Sequence, residues 1–273
     1  MKKRSTFERL ASAPHVVWSA IFIIAPLLFV AYFAFTDRNG SFTFENMLSL
    51  SSYSHTFVMS LGFSLIATTI CFLIGYPLAY FMARTSERTR SILMVLLMLP
   101  MWISLLIRTY SLMALLDNGG LVSTFLTQLG FRKLTFIGTE GAVILGMIYD
   151  FLPYMVLPIY TTMTKLDKRY LEAAADLGCN SRQTLFKVIL PLSMPGVVSG
   201  ITMVFVPSIS TFYISQKLGG GSFDLIGDTI ERQFQNAVTY HTGAAISLVM
   251  MVLILISLAI MNKFSDSGED IIV

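Results

Sequence analysis

Charge is scarce in this chain. Asp, Glu, Lys and Arg make up 13% of its 273 residues, about half the ~25% that soluble domains carry. That excludes a water-facing globule of ordinary surface. Cysteine is scarcer still. Cys71 lies in an apolar run and Cys179 in a basic stretch, with no CxxC and no Cys/His cluster, which excludes a disulfide-framed secreted scaffold. The three histidines, His15, His55 and His241, are scattered near the ends of apolar runs, so no metal site is expected. No GxxxxGK[ST] occurs, and the run Gly219-Gly220-Gly221-Ser222 lacks the lysine that a phosphate-cradling loop needs; it reads as a turn. Zinc-protease, nucleophile-elbow and dinucleotide-binding motifs are absent as well. The chain is not expected to be an enzyme or to hydrolyse ATP itself.

What is abundant is apolar sequence. Hydrophobic residues reach 55% and the mean hydropathy is +0.70. A membrane-spanning helix needs about 20 mainly apolar residues, and six stretches qualify: approximately 14–36, 57–83, 91–116, 140–164, 193–215 and 243–262. Barrel strands would alternate apolar and polar residues; these runs are continuous. The third contains Pro100 and Arg108, and the fourth contains Asp150, Pro153 and Pro158. Prolines are tolerated in spans because neighbouring helices satisfy the freed backbone groups. The first run follows Lys2, Lys3 and Arg4. Its apolar core exceeds the 7–15 residues of a signal peptide and shows no convincing small-x-small cleavage site, so an uncleaved first helix is expected.

Lys and Arg fall unequally on the two sides of these spans. Thirteen lie on one side: Lys2, Lys3, Arg4, Arg9, Arg84, Arg88, Arg90, Lys165, Lys168, Arg169, Arg182, Lys187 and Lys263. Five lie on the other: Arg38, Arg132, Lys133, Lys217 and Arg232. The positive-inside rule puts both termini in the cytoplasm, which suits an even number of spans. The expected organisation is a first segment over 1–56, a membrane core over 57–262 and a short tail over 263–273.

Residues 165–192 form the most patterned polar stretch. Asp167 is placed to cap a short helix, and Leu171, Ala174 and Ala175 give it an apolar side. Gly178 reads as a helix stop, since glycine accepts φ > 0. Asn180 or Ser181 can cap a second short helix with Leu185, Phe186 and Ile189 as its apolar side, and Pro191 is expected to break the chain before the fifth span. Together these make a helix–turn–helix elbow with too many apolar residues for a free linker, and its small alanines permit close approach of another surface. Glu172-Ala173-Ala174, then Gly178, then Val188 and Leu190-Pro191 resemble the EAA motif of ABC importer permeases, with Val188 where the usual pattern has Ile.

The resemblance covers roughly 57–262. It implies an all-α integral membrane fold, a six-transmembrane-helix bundle of type I, MetI-like architecture, in the bacterial inner membrane. It further implies that the elbow is a coupling helix seated in a cleft of a separate ABC ATPase subunit, that ATP and Mg belong to that partner, and that a second permease subunit and an extracytoplasmic solute-binding protein complete the importer. No cofactor of its own and no nucleic-acid partner are expected.

Ionisable groups inside spans are functional candidates. Asp150 sits near mid-depth of the fourth run, between Tyr149 and Phe151, and shares a helix face with Tyr154. A carboxylate beside aromatic rings suits an organic cation. Packing or protonation would explain the same residue. Arg108, counted 17 residues into the third run, is expected near its outer end, where a long side chain snorkels; pairing with an acid or lining an entrance are the alternatives. Tyr110 fits an interfacial belt. Pro207 could unwind the fifth span, and Phe212 and Tyr213 lie near its outer end. Asp224, Asp228 and Glu231, against Lys217 and Arg232, could receive a delivering protein; an ordinary solvated loop would explain the same charges. The stretches Leu106–Tyr110, Leu152–Tyr160, Lys165–Asp167 and Phe212–Ser215 resemble the spermidine/putrescine branch of these permeases, which implies a polyamine substrate. Related importers for other small solutes share the architecture. A self-contained secondary transporter would show inverted repeats or several intramembrane charges, and a membrane enzyme would show clustered catalytic residues.

Overall fold

The computed structural model describes residues 14–130 and 135–269, without the side chains of Lys168 and 264–269. The basic residues Lys2, Lys3, Arg4, Arg9, Arg132 and Lys133 of the orientation argument, and the end of the tail, lie outside the described residues. The longer helices among the described residues are α1 Pro14–Ala34, α2 Ser54–Arg84, entered through short helical turns at Glu45–Leu48 and Ser49–Tyr53, α3 Glu87–Trp102, α4 Leu105–Leu116, α5 Leu121–Gln128, α6 Glu140–Thr164, α7 Lys168–Asp176, α8 Ser181–Ser210, α9 Tyr213–Leu218, α10 Ile226–Gln235 and α11 Tyr240–Glu269.

Among the described residues five helices are each long and apolar enough to cross a membrane, and α3 with α4–α5 makes a sixth only if a pair bent by 98° counts as one span. This corrects the expected straight third span over 91–116. Pro100 cannot donate to the carbonyl one turn back. Ile103 and Ser104 then turn extended, and the Arg108 N–H restarts the ladder on the Ser104 carbonyl at 3.1 Å. The fourth expected span, α6, has the expected bounds, started by the Thr139 side chain accepting from the Ala142 N–H.

The fifth helix differs at both ends. Instead of breaking at Pro191, α8 runs unbroken from the elbow into the membrane segment through a π-helical turn at Leu185–Ile189. A proline ring collides with the carbonyl four residues back, here that of Lys187, and the wider turn moves this carbonyl aside. The same device recurs in α1, where the π-helical turn Ala20–Ile24 precedes Pro26. At the far end α8 passes through Pro207 without unwinding and stops at Ser210, with Thr211 extended. Tyr213 therefore belongs to a separate short helix, α9.

The chain forms two compact units. In the first, residues up to Ser54 combine with Thr229–Leu253. Ala34, Ala244 and Ala245 are fully buried there among Val30, Phe33 and Leu248, and Arg38 Nη2 donates to the Val238 carbonyl at 2.8 Å. Most large apolar side chains of α1, Trp18, Phe22, Leu28 and Phe29 among them, are exposed, as suits a helix bathed in hydrocarbon rather than water.

The second unit, His55–Asp228 with the chain from Ile254 onward, is built around α6. Val143, Met147, Met155, Val156 and Ile159 of α6 have no exposure at all. Its longest contact is with α8. A Cβ at Gly200 would meet the Met155 carbonyl at 2.9 Å, and one at Gly196 the Pro158 carbonyl at 2.8 Å. Small residues of this kind let helices in a membrane approach closely. Tyr76 of α2 and Ser193 of α8 add a buried hydroxyl–hydroxyl bond of 3.1 Å. Both cysteines are free.

Candidate functional site

At the elbow, α7 starts where the Asp167 side chain accepts from the Arg169 N–H at 3.0 Å. It ends at Gly178, whose φ is +76°. The Gly178 and Cys179 N–H groups bond back to the carbonyls of Ala175 and Ala174, the left-handed helix stop that glycine makes without strain. Asn180 then caps α8 through a reciprocal pair of 2.9 Å bonds with Gln183, a capping box in which each residue satisfies the other's free N–H.

The elbow has two unlike faces. Leu171, Leu185 and Leu190 pack against the core, with Ala174 and Ile189 buried. Glu172 and Ala173 are exposed, as is Gly178, while Val188 and Pro191 are half-buried. Ala175 and Phe186, both expected on the apolar side, point outward instead; for Phe186 the π-helical turn that begins at Leu185 shifts its position around the axis. Tyr170, Leu177 and Phe186 are 48%, 84% and 64% exposed. The elbow thus exposes three large apolar side chains, and proteins rarely leave sizeable apolar patches bare. Beneath it lies a cavity of about 590 Å³, walled by Leu171, Glu172 and Ile189 on one side and by Tyr80, Arg84 and Arg90 on the other. The Arg84 guanidinium rests 4.4 Å from the Tyr80 ring centre.

A second group of candidates lies where α4, α6 and α9 meet. Arg108 does not snorkel. It is 7% exposed, and its Nη1 stands 2.9 Å from Asp150 Oδ1, itself on a residue 2% exposed. The break before α4 is the reason: it places Arg108 in the first turn of a new helix that turns toward α6. Arg108 Nη1 also reaches the Asp150 carbonyl at 3.5 Å. The 2.9 Å contact lacks the alignment of a hydrogen bond, and Arg108 Nε makes none among the described residues. Asp150 is thus buried against an internal cation rather than open beside Tyr149, which is 40% exposed on another face. Tyr154 is half-buried, its ring 6.4 Å from that of Phe151, and borders a separate cavity of about 520 Å³ with Met101 and Met203.

Helix α9 sits tightly on α6 because residue 146 is glycine; a Cβ there would overlap Leu218 and Ile214. This seating brings Tyr213 to Tyr110 of α4, ring centres 6.1 Å apart and nearly perpendicular at 80°. Lys217, one turn beyond Tyr213, places its Nζ 5.4 Å from the Tyr110 centre and 5.7 Å from the Tyr213 centre. In the sequence Lys217 stands only among the five Lys and Arg residues on the less basic side of the spans. Its i, i+4 spacing from Tyr213 was the available signal.

The family model described as "Binding-protein-dependent transport system inner membrane component" matches residues 75–268. The spermidine/putrescine transport system permease protein PotB of Haemophilus influenzae is 38% identical over 257 residues, 90% of each chain. PotB of Escherichia coli is 37% identical over 247 residues, 87% of this chain and 90% of that one. Among solved structures, a bacterial alginate ABC transporter in complex with alginate pentasaccharide-bound periplasmic protein superposes with a TM-score of 0.76 at 18% identity, covering 94% of this chain and 93% of that one.

Proposed function

The chain belongs to the family of binding-protein-dependent transport system inner membrane components, and from that premise we propose that it is the permease subunit of an ATP-driven importer of spermidine or putrescine. The polyamine assignment rests on the substrate named for the PotB relatives, with which the chain shares most of its length. The coupling assignment rests on the elbow: Tyr170, Leu177 and Phe186 give a capped, rigid projection a bare apolar tip, and a separate ATPase subunit is the partner that covers it.

In this reading the elbow and both termini are cytoplasmic. Two ATPase subunits, holding ATP and Mg, seat the elbows of this chain and of a second, non-identical permease subunit, and an extracytoplasmic binding protein delivers the solute at the opposite face. Closure of the ATPases moves Glu172 to Gly178. Because α8 is continuous from Ser181 to Ser210, displacement of the elbow reaches the membrane without crossing a flexible joint, and Leu171 and Ile189 carry it to the ends of α2 and α6. A solute other than a polyamine is the second reading, favoured by the internal neutralisation of Asp150 by Arg108.

The test is ATP hydrolysis by the reconstituted complex with its binding protein, across spermidine, putrescine, sulfate, ferric ion and amino acids. Stimulation by polyamines alone is expected, with at least a tenfold loss in Gly178→Asp. Stimulation by another solute discards the polyamine assignment, and hydrolysis indifferent to Gly178→Asp discards the coupling assignment.

A further inference from the structure

Lys217 sits against aromatic rings. Its half-buried ammonium stands within 5.4 and 5.7 Å of two tyrosine ring centres, close enough for the Tyr110 hydroxyl to accept from it as well. The negative faces of aromatic rings attract a cation within about 6 Å of their centres, and both distances satisfy that limit. The rings stand nearly perpendicular, so they form two walls of a corner rather than one flat platform. Such a corner suits a primary ammonium, which is small and can point an N–H at each wall while the third donor stays solvated.

We propose that the Tyr110–Tyr213 corner is an ammonium-binding site on the solute's route, and that Lys217 is its resident occupant, displaced when a terminal ammonium of the substrate arrives. The proposal deepens the polyamine reading and rests on it for the identity of the incoming cation. Lys217 is a tethered competitor: it shares α9 with Tyr213 one turn away, so its ammonium is never far from the corner and holds it shut to weakly bound cations. A chain with two or more amines can present one ammonium to the corner while the others remain solvated, whereas an inorganic cation must give up its shell on every side. The seat is rigid because Gly146 lets α9 lie directly on α6, and Tyr110 is anchored two residues from the buried Arg108.

The test uses the assembled transporter in proteoliposomes. Lys217→Met removes the competing charge and keeps the apolar stem, and it is expected to lower the KM for spermidine about 5- to 10-fold, the range between an exposed and a desolvated cation–π contact. Lys217→Arg is expected to leave the KM near the wild-type value. An unchanged KM in Lys217→Met overturns the proposal. A second readout needs no polyamine transport. In a Lys217→Cys, Cys179→Ser chain, a trimethylammonium-ethyl methanethiosulfonate restores a tethered cation of about the same reach, and it should label position 217 at least about 5-fold faster, relative to neutral methyl methanethiosulfonate, than when Tyr110→Leu and Tyr213→Leu are also present. Equal preference with and without the rings overturns the ammonium site. A complex stimulated only by a non-amine solute, yet showing the ring-dependent preference, sinks the polyamine assignment while the ammonium site stands.

Discussion

The elbow satisfies its polar groups within a few residues, whereas the meeting point of α4, α6 and α9 satisfies its own across long stretches of chain. Asp167 caps two residues on, Gly178 closes the preceding turn, and Asn180 and Gln183 cap each other across three. Arg108, by contrast, finds its carboxylate 42 residues away, and Tyr110 finds Lys217 on a separate short helix beyond the extended Thr211. Local satisfaction makes a part that keeps its shape while its surroundings move. Distant satisfaction makes a part that holds separate helices together and fails as a unit.

Three substitutions separate these behaviours, beginning with the largest effect. Asp150→Leu strands a buried guanidinium, and removing one member of a buried pair costs about 3–5 kcal/mol. Thermal unfolding of the purified complex should show a large drop, mostly restored in the Arg108→Met, Asp150→Leu double variant. Equal losses in single and double variants would mean that the pair does not couple the helices. Next, Gly146→Val pushes α9 off α6, at about 1–3 kcal/mol of overpacking. Cross-linking between cysteines placed at Tyr110 and Tyr213 should fall several-fold, while elbow amides keep their hydrogen-exchange protection. Loss of protection at the elbow would erase the distinction between the two regions. Last, Asn180→Ala removes one half of the capping box, worth about 1 kcal/mol. Exchange should quicken for the first turn of α8 alone, and Asn180→Asp should largely restore it.

The same contrast explains what could be read from the chain before folding. The elbow's caps and its stop were legible because each rests on one residue type at a fixed short spacing, and the bounds of α6 were legible because a polar cap precedes a long apolar run. The bend at Ile103–Ser104 was not, since Pro100 is compatible with a kink, a break or an undisturbed helix, and Pro77, Pro153 and Pro158 sit inside helices that continue. Once the bend was missed, counting along a straight span misplaced Arg108. The outward turn of Phe186 had a related origin: ordinary helical spacing assigns it to the packed side, and only the π-helical turn forced by Pro191 moves it out. The pairing of Lys217 with Tyr110 depends on Gly146 admitting α9, a steric permission that no local pattern announces.

The π-helical turn at Leu185–Ile189 also preserves the angular phase between the two ends of α8. An α-helix advances about 100° per residue, and a π turn fits one residue more into about the same sweep. Deleting one residue there would close the turn to an α turn and leave the side chains beyond it nearly where they face now, whereas a deletion in the regular part of α8 would rotate everything beyond it by about 100° relative to the elbow. The elbow and the membrane segment thus resemble a shaft with an expansion joint: one surplus residue ahead of a proline is taken up without turning the side of α8 that faces α6 away from it.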